Sequence, residues 1–314
     1  MEPNSFRVVV LAGGTSPERE VSLQGGWAVE RALKQSGLET EWLDPSETPV
    51  LDFSWQVGDV AFLVLHGEFG EDGQVQSLLE SRNIPYTGSD ALASKIAFRK
   101  SATKERLQLA HVPTPDSVII SRGDSWESLQ HRAASLGYPL VVKPDAQGSS
   151  LGVTVVFKEQ DLQEAIERCF ALDRFGLMER YIAGSEWTVG LWNDQALPPI
   201  CIETPRGFYD YAAKYTDEET QYHFEAEVPA VHLERLKRIA VRVGQSVGTR
   251  GIARVDFRLN ADWQPWVLEI NTIPGMTDHS LIPKAAARVG IEFPELCERI
   301  VRETATQRRS QSAA

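Results

Sequence analysis

From residue 7 to residue 83 short apolar runs alternate with longer stretches of helical period, and a chain so patterned has few folds open to it. RVVVLAG (7–13) reads as a buried strand, and EVSLQGGWAVERALKQSG as a helix ending at Gly37. ETEWLD and DVAFLVLHG (59–67) read as two further strands, and VQSLLESRN as another helix. Strands separated by helices predict a parallel sheet with helices on its faces, so the chain begins as an open α/β unit.

Beyond residue 88 the pattern changes. SDALASKIAFRKSATKERLQLA is helix-rich with alternating charge and stops before HVPTPDS, whose two prolines mark a boundary near 112–116. A mixed block follows: strands SVIIS, PLVVKP, VTVVF, GLMERYI and EWTVGLW, with helices over SWESLQHRAASLG and 159–171. FYDYAAKYTDEETQY (208–222) has neither period, and a loop of that length inside a compact domain is usually functional or mobile. The last block carries the helix HLERLKRIAVRVGQSVG, the strands IARVDFRL and PWVLEIN, and C-terminal helices; the polar end RETATQRRSQSAA is expected to fray.

The 314 residues allow two domains or a small third. A net charge of −12 argues against a general nucleic-acid binder, although a local basic pocket for one nucleotide remains compatible with it. No apolar run is long enough to span a membrane, and the start MEPNSFRVVVLAGG lacks the pattern of a signal peptide. Three scattered cysteines (Cys169, Cys201, Cys297) form neither a disulfide framework nor a zinc pattern, so a reducing cytoplasm suits them.

Two stretches carry candidate chemistry. In VLEINTIPGMTDHS (267–280) strict alternation would put Val267, Glu269 and Asn271 on one face and Leu268 and Ile270 on the other. In GIARVDFRL, Val255, Phe257 and Leu259 face one way, and Arg254, Asp256 and Arg258 the other. The linker NADWQ makes an antiparallel hairpin of the two strands, which brings Asp256 near Glu269 and Asn271. Three oxygen donors suit a hard cation such as Mg²⁺; a solvated polar face, with Arg254 or Arg258 pairing either acid, explains the same residues. The second stretch, PLVVKPDAQGSSLGVTVV, sets Lys143 before a Gly-Ser-Ser-Leu-Gly loop (148–152). That is a phosphate cradle or a glycine hairpin beside a surface lysine; it is not a P-loop.

Taken in order, GGTSPEREVS (13–22), LHGEFGEDG (65–73), YTGS (86–89), VKPDAQGSSLGV (142–153), FYDYAAKY (208–215), ARVDF (253–257) and LEINTIPGMTDHSLIP (268–283) resemble the D-alanine–D-alanine ligase family of the ATP-grasp superfamily. The resemblance runs from about Val8 to Arg299. It implies an N-terminal α/β domain (1–112), a central ATP-grasp domain (113–195), a C-terminal ATP-grasp domain (196–306) and a disordered tail (307–314), with the two ATP-grasp domains clasping ATP. It further implies ATP-dependent joining of two D-alanines through an acyl phosphate, for peptidoglycan precursor synthesis in the cytoplasm. A homodimer is the assembly expected from the family.

By the same resemblance Asp256, Glu269 and Asn271 would hold two Mg²⁺ (or Mn²⁺) ions, Glu269 touching both. Lys100, Lys143 and Ser150 would meet phosphates, Glu179, Arg180, Tyr181 and Ile182 the adenine, and Glu186 the ribose. Arg254 and the Gly275 N–H would stabilise a tetrahedral oxyanion. Glu18 would bind the first ammonium in a network with Ser149 and Tyr215, while Lys214 would reach the phosphates from the 208–222 lid. His66 would line the first-substrate pocket, and the Ser280 and Leu281 N–H groups would hold the second carboxylate. Three of these positions have plainer readings: Thr15-Ser-Pro-Glu18 also spells a capping box, Ser280 a helix N-cap, and His66 a structural histidine. The chain departs from the common family pattern Asp-Lys at Arg99-Lys100.

Overall fold

The computed structural model describes residues 6–204, 219–224 and 228–312, the last six by backbone alone. Three sheets organise it. The first is parallel, in the order β2 (Thr40–Leu43), β1 (Val8–Leu11), β3 (Val60–Leu63). β1 and β3 are buried on both faces, which is why they read as unbroken apolar runs. On one face lie α1 (Arg19–Gln35) and the last helix; on the other, Val75 and Leu79 of α2 (Gln74–Ser81) pack with Leu11 and Leu63. The two glycines inside α1 allow its close approach, since a Cβ on Gly26 would lie 2.4 Å from the Ala12 Cβ, and one on Gly25 2.8 Å from Val64.

The helix-rich stretch after the first sheet is broken at Arg99 into α3 (Ala91–Phe98) and α4 (Lys100–Leu109). Asp145, at the end of a strand in the second sheet, supplies the cap: its carbonyl accepts from Lys100 N–H (3.0 Å) and its carboxylate from Ser101 N–H (2.8 Å). The second sheet is antiparallel, ordered β4 (Ser117–Ser121), β7 (Phe175–Arg180), β5 (Leu140–Pro144), β6 (Thr154–Val156). α5 (Trp126–Leu136) and α6 (Leu162–Leu172) enclose a core against it, with a 3₁₀ turn at Glu159–Asp161 where the pattern predicts helix.

The third sheet runs β11 (Gln221–His223), β10 (Ile200–Glu203), β8 (Ser185–Trp192), β12 (Ile252–Leu259), β13 (Pro265–Asn271), with the short β9 (Gln195–Ala196) on β8. Its core is closed by α7 (Ala230–Val247). β8 was expected in the central block ending at 195. It belongs here instead, because all eight of its residues pair with β12. After α8 (Leu281–Ala287), the last helix, α9 (Phe293–Ser312), covers the first sheet through Leu296, Ile300 and Val301. α9 runs to Ser312, where a fraying tail was expected.

Candidate active site

Glu18 is buried at the start of α1. A capping box would begin the helix after Thr15 and turn the Glu18 side chain back on the backbone; instead α1 begins at Arg19, with Glu18 at the N-cap position and its side chain making no capping bond. Its carboxylate accepts a hydrogen bond from Ser149 Oγ in the glycine-serine loop. Two glycines give it room, since a Cβ on either Gly67 or Gly148 would come within 2.8 Å of Glu18 Oε2. Ser16 Oγ donates to the His66 carbonyl (2.7 Å) and accepts from Glu18 N–H (3.2 Å). Segments 13–22, 65–73 and 148–152 thus converge on one carboxylate.

His66 is buried beside Glu71, Nδ1 lying 3.7 Å from Oε1. Glu71 Oε2 accepts from Gly67 N–H (3.0 Å), whereas His66 Nε2 makes no hydrogen bond among the described residues. Burial opposes a charged imidazole, but Glu71 and then Glu18 outweigh it and hold His66 above the usual histidine value. Glu71 was not singled out from sequence, although the acidic residue in LHGEFGEDG five positions after the histidine was there to be read.

On the other side of the loop Lys143 and Glu179 pair with each other, Nζ to Oε1 at 2.9 Å, both buried. Lys104, equally unforeseen, meets Glu179 Oε2 at 2.6 Å. Burial raises a carboxyl, yet the two ammonium groups prevail and hold Glu179 below the usual range; burial in turn pulls Lys104 below the ordinary lysine value. Next to this cluster Arg258 organises the turn that follows β7. It donates to the carbonyls of Ile182 (3.2 Å) and Gly184 (2.7 Å) and to Glu186 (3.2 Å), and its guanidinium lies 5.7 Å from the Tyr181 ring centroid. Arg258 therefore serves this turn rather than the acids at 256 and 269. Lys143, Ser150, Glu179, Arg180, Tyr181, Ile182 and Glu186 line one cavity together with Asp256 and Glu269. Ser149 and Ser150 both hold left-handed φ (48° and 57°), a strain of the kind that clusters at ligand-binding loops.

The acids meet across the hairpin. Asp256 pairs with Glu269 and Arg254 with Asn271, but the register shifts between Asp256 and Phe257 so that Phe257 opposes Val267. This bulge overturns the strict alternation expected of 267–271. Val267 and Ile270 enter the core, Ile270 also bordering the larger cavity, while Leu268, Glu269 and Asn271 line cavities. Arg254 grips Asp256 with two bonds (2.8 and 2.7 Å), and Thr188 Oγ1 donates to the same carboxylate (2.7 Å). Lys100 Nζ lies 3.3 Å from Glu269 Oε2 and donates to the Gln147 carbonyl (2.6 Å), whereas Arg99 turns to Asp145. The departure at Arg99-Lys100 thus leaves Lys100 in the site. Asn271 Oδ1 accepts from Ile273 N–H (2.8 Å). Among the described residues no three His, Cys, Asp or Glu side chains form a metal cage. Two carboxylates and an amide, all oxygen donors, fit a hard cation that takes its remaining ligands from phosphate or water.

A larger cavity of about 550 Å³ is lined by Glu18, His66, Ser149, Arg254, Gly275, Ser280 and Leu281, among others. Ser280 stands at the N-cap position of α8 but its side chain makes no capping bond; its Oγ accepts from Thr277 N–H (3.0 Å) and lies against Gly275, where a Cβ would be 3.0 Å away. The two cavities share Lys100, Gln147 and Glu269. Lys214 and Tyr215 lie outside the described residues.

Residues 107–302 match the family model described as the D-ala D-ala ligase C-terminus, and residues 41–89 that of the N-terminus. The chain is 45% identical over 296 residues to the D-alanine–D-alanine ligase of Syntrophotalea carbinolica, covering 94% of this chain and 95% of that one. Among solved structures, that of the D-alanine–D-alanine ligase from Bacillus anthracis complexed with ATP superimposes with a TM-score of 0.85 at 32% identity, covering 98% of this chain and all of that one. The VanG D-Ala:D-Ser ligase from Enterococcus faecalis follows at 0.84 and 27% identity, covering 96% of this chain and 100% of that one. An N-terminal parallel sheet, a lysine-bearing loop and an acid hairpin that meet at shared residues, in a chain matched along nearly its whole length, lead to one conclusion: the chain belongs to the D-alanine–D-alanine ligase family.

Proposed function

We propose that the protein joins two molecules of D-alanine to D-alanyl-D-alanine, with ATP converted to ADP and phosphate. The observation that carries this reading is the junction of the two cavities at Lys100 and Glu269, where a nucleotide in one would present its terminal phosphate to an acid in the other. A carboxylate resists attack by an amine because its carbon is electron-rich and its oxygen a poor leaving group. Transfer of a phosphoryl group to that oxygen removes both obstacles, and such transfer needs positioning and charge neutralisation above all.

Glu18, held by Ser149, binds the ammonium of the first D-alanine, and His66 borders the same pocket. Lys143, Ser150 and Lys100 face the phosphates; Glu179, Arg180, Tyr181 and Ile182 receive the adenine, and Glu186 the ribose. Asp256, Glu269 and Asn271 would hold two Mg²⁺ or Mn²⁺ ions, which supply positive charge against the phosphate oxygens. The second amine then attacks the acyl phosphate. Arg254 and the Gly275 N–H stabilise the oxyanion, and the second carboxylate is held by the Leu281 N–H and by that of Ser280, which first leaves the Thr277 carbonyl (2.9 Å). Lys214 and Tyr215, from the 208–222 lid, close over the reactants and keep water from the acyl phosphate. A homodimer in the cytoplasm, serving peptidoglycan synthesis, completes the reading.

The test is an assay with ATP, Mg²⁺ and D-alanine, run beside D-serine and D-lactate as second substrates. Dipeptide and phosphate are expected in equal amounts, and Glu269→Gln should lower turnover by about a hundredfold or more. Product only with D-serine or D-lactate contradicts the second substrate, and an active Glu269→Gln contradicts the ion assignment.

A further inference from the structure

Lys104 stands behind the nucleotide cavity without lining it. Its ammonium donates to Thr114 Oγ1 (2.8 Å) and to the Pro115 carbonyl (2.8 Å), and it forms an ion pair with Glu179 Oε2 at 2.6 Å. Thr114 Oγ1 in turn donates a hydrogen bond to the Val267 carbonyl (2.9 Å) at the bulge of β13. Lys104 is only 3% exposed and tied on three sides, so it does not itself reach a phosphate. Lys143 differs. It lines the cavity, and in the structure its ammonium is spent on the other oxygen of Glu179.

We propose that Lys104 is a positioning residue for phosphate binding: it neutralises Glu179 from the side away from the cavity, and so frees Lys143 to turn from Glu179 to a nucleotide phosphate. The inference rests on the reading above, in which Lys143 meets a phosphate. With one lysine alone the exchange would strand a buried carboxylate, a loss that would cancel much of the gain at the phosphate. With two lysines Glu179 keeps a partner throughout. No covalent step is involved, and the charge of the cluster is unchanged by the exchange.

The experiment is calorimetric titration of the full chain with ATP plus MgCl₂ and, separately, with adenosine, which has no phosphate. Lys104→Met removes the charge at similar size. Its affinity for ATP should fall about tenfold or more while that for adenosine stays within about threefold. Adding Glu179→Gln should restore ATP binding relative to adenosine, because no buried anion then needs a partner. Equal losses for both ligands would mean that Lys104 only ties α4 to β7, and that outcome overturns the proposal, as does an unchanged ATP affinity. If Lys104→Met does not fold, Glu179→Gln is compared with Glu179→Gln/Lys104→Met. Their ATP affinities should agree within about threefold, and a tenfold loss on removing the lysine overturns the proposal. Failure of the unmodified protein to form dipeptide sinks the proposed activity instead, which keeps the two failures apart.

Discussion

His66 is a buried imidazole beside two carboxylates, Glu71 and Glu18, in the candidate site. Its folded value lies above the ordinary 6.5, since Glu71 and Glu18 outweigh burial. A group raised on folding contributes stability that is complete below its unfolded value and is lost as pH rises through the folded one. The stability contributed by His66 should therefore decline from about pH 6.5 upward. Melting curves of the wild type and His66→Gln should differ more at pH 6 than at pH 8.5, and a gap that widens with pH would contradict the Glu71 pairing. A lone histidine after an apolar strand was legible as a ligand-pocket candidate, but its partner was not, because a carboxylate five residues on reaches it only after the chain turns at Gly67, whose φ is +70°. Lys104 was hidden for a related reason. Nothing in KSATKERLQ distinguishes a lysine that buries itself under another sheet from one on a solvated helix face.

At the scale of elements, the hairpin of β12 and β13 shows what a period can and cannot reveal. The polar face of Arg254, Asp256 and Arg258 followed from alternation, and so did the meeting of Asp256 with Glu269. The bulge did not, because one extra residue leaves no mark in an apolar run such as WVLEI; it is visible only when the partner strand is known. The turn between β7 and β8 depends on Gly184 in a similarly specific way. Its φ is +138°, and a Cβ there would lie 2.0 Å from the Leu259 carbonyl, which is backbone and does not yield. Gly184→Ala should cost about 2 kcal/mol or more in denaturant unfolding and weaken ATP binding, since the Gly184 carbonyl also orients Arg258. A change within about 0.5 kcal/mol, the range of ordinary surface substitutions, would show that this backbone relaxes freely.

Across the whole molecule the candidate site lies at cavities lined from all three sheets and their connections. The first contributes Glu18 and His66, the second Lys143 and the serine loop, and the third Asp256, Glu269 and Asn271. The alternation that opens the chain predicted the first sheet, and the proline pair the passage to the second. Two larger facts escaped local pattern: β8 joins the third sheet, and α9 returns to cover the first. Both are long-range pairings, decided by which apolar faces remain to be covered and not by any residue's own neighbours. The central claim is that this meeting place makes an acid reactive by phosphorylating it, and oxygen labelling tests that claim directly. With D-alanine carrying ¹⁸O in its carboxylate, the phosphate released should contain one labelled oxygen for each dipeptide formed. Phosphate without label, released alongside dipeptide, would contradict it.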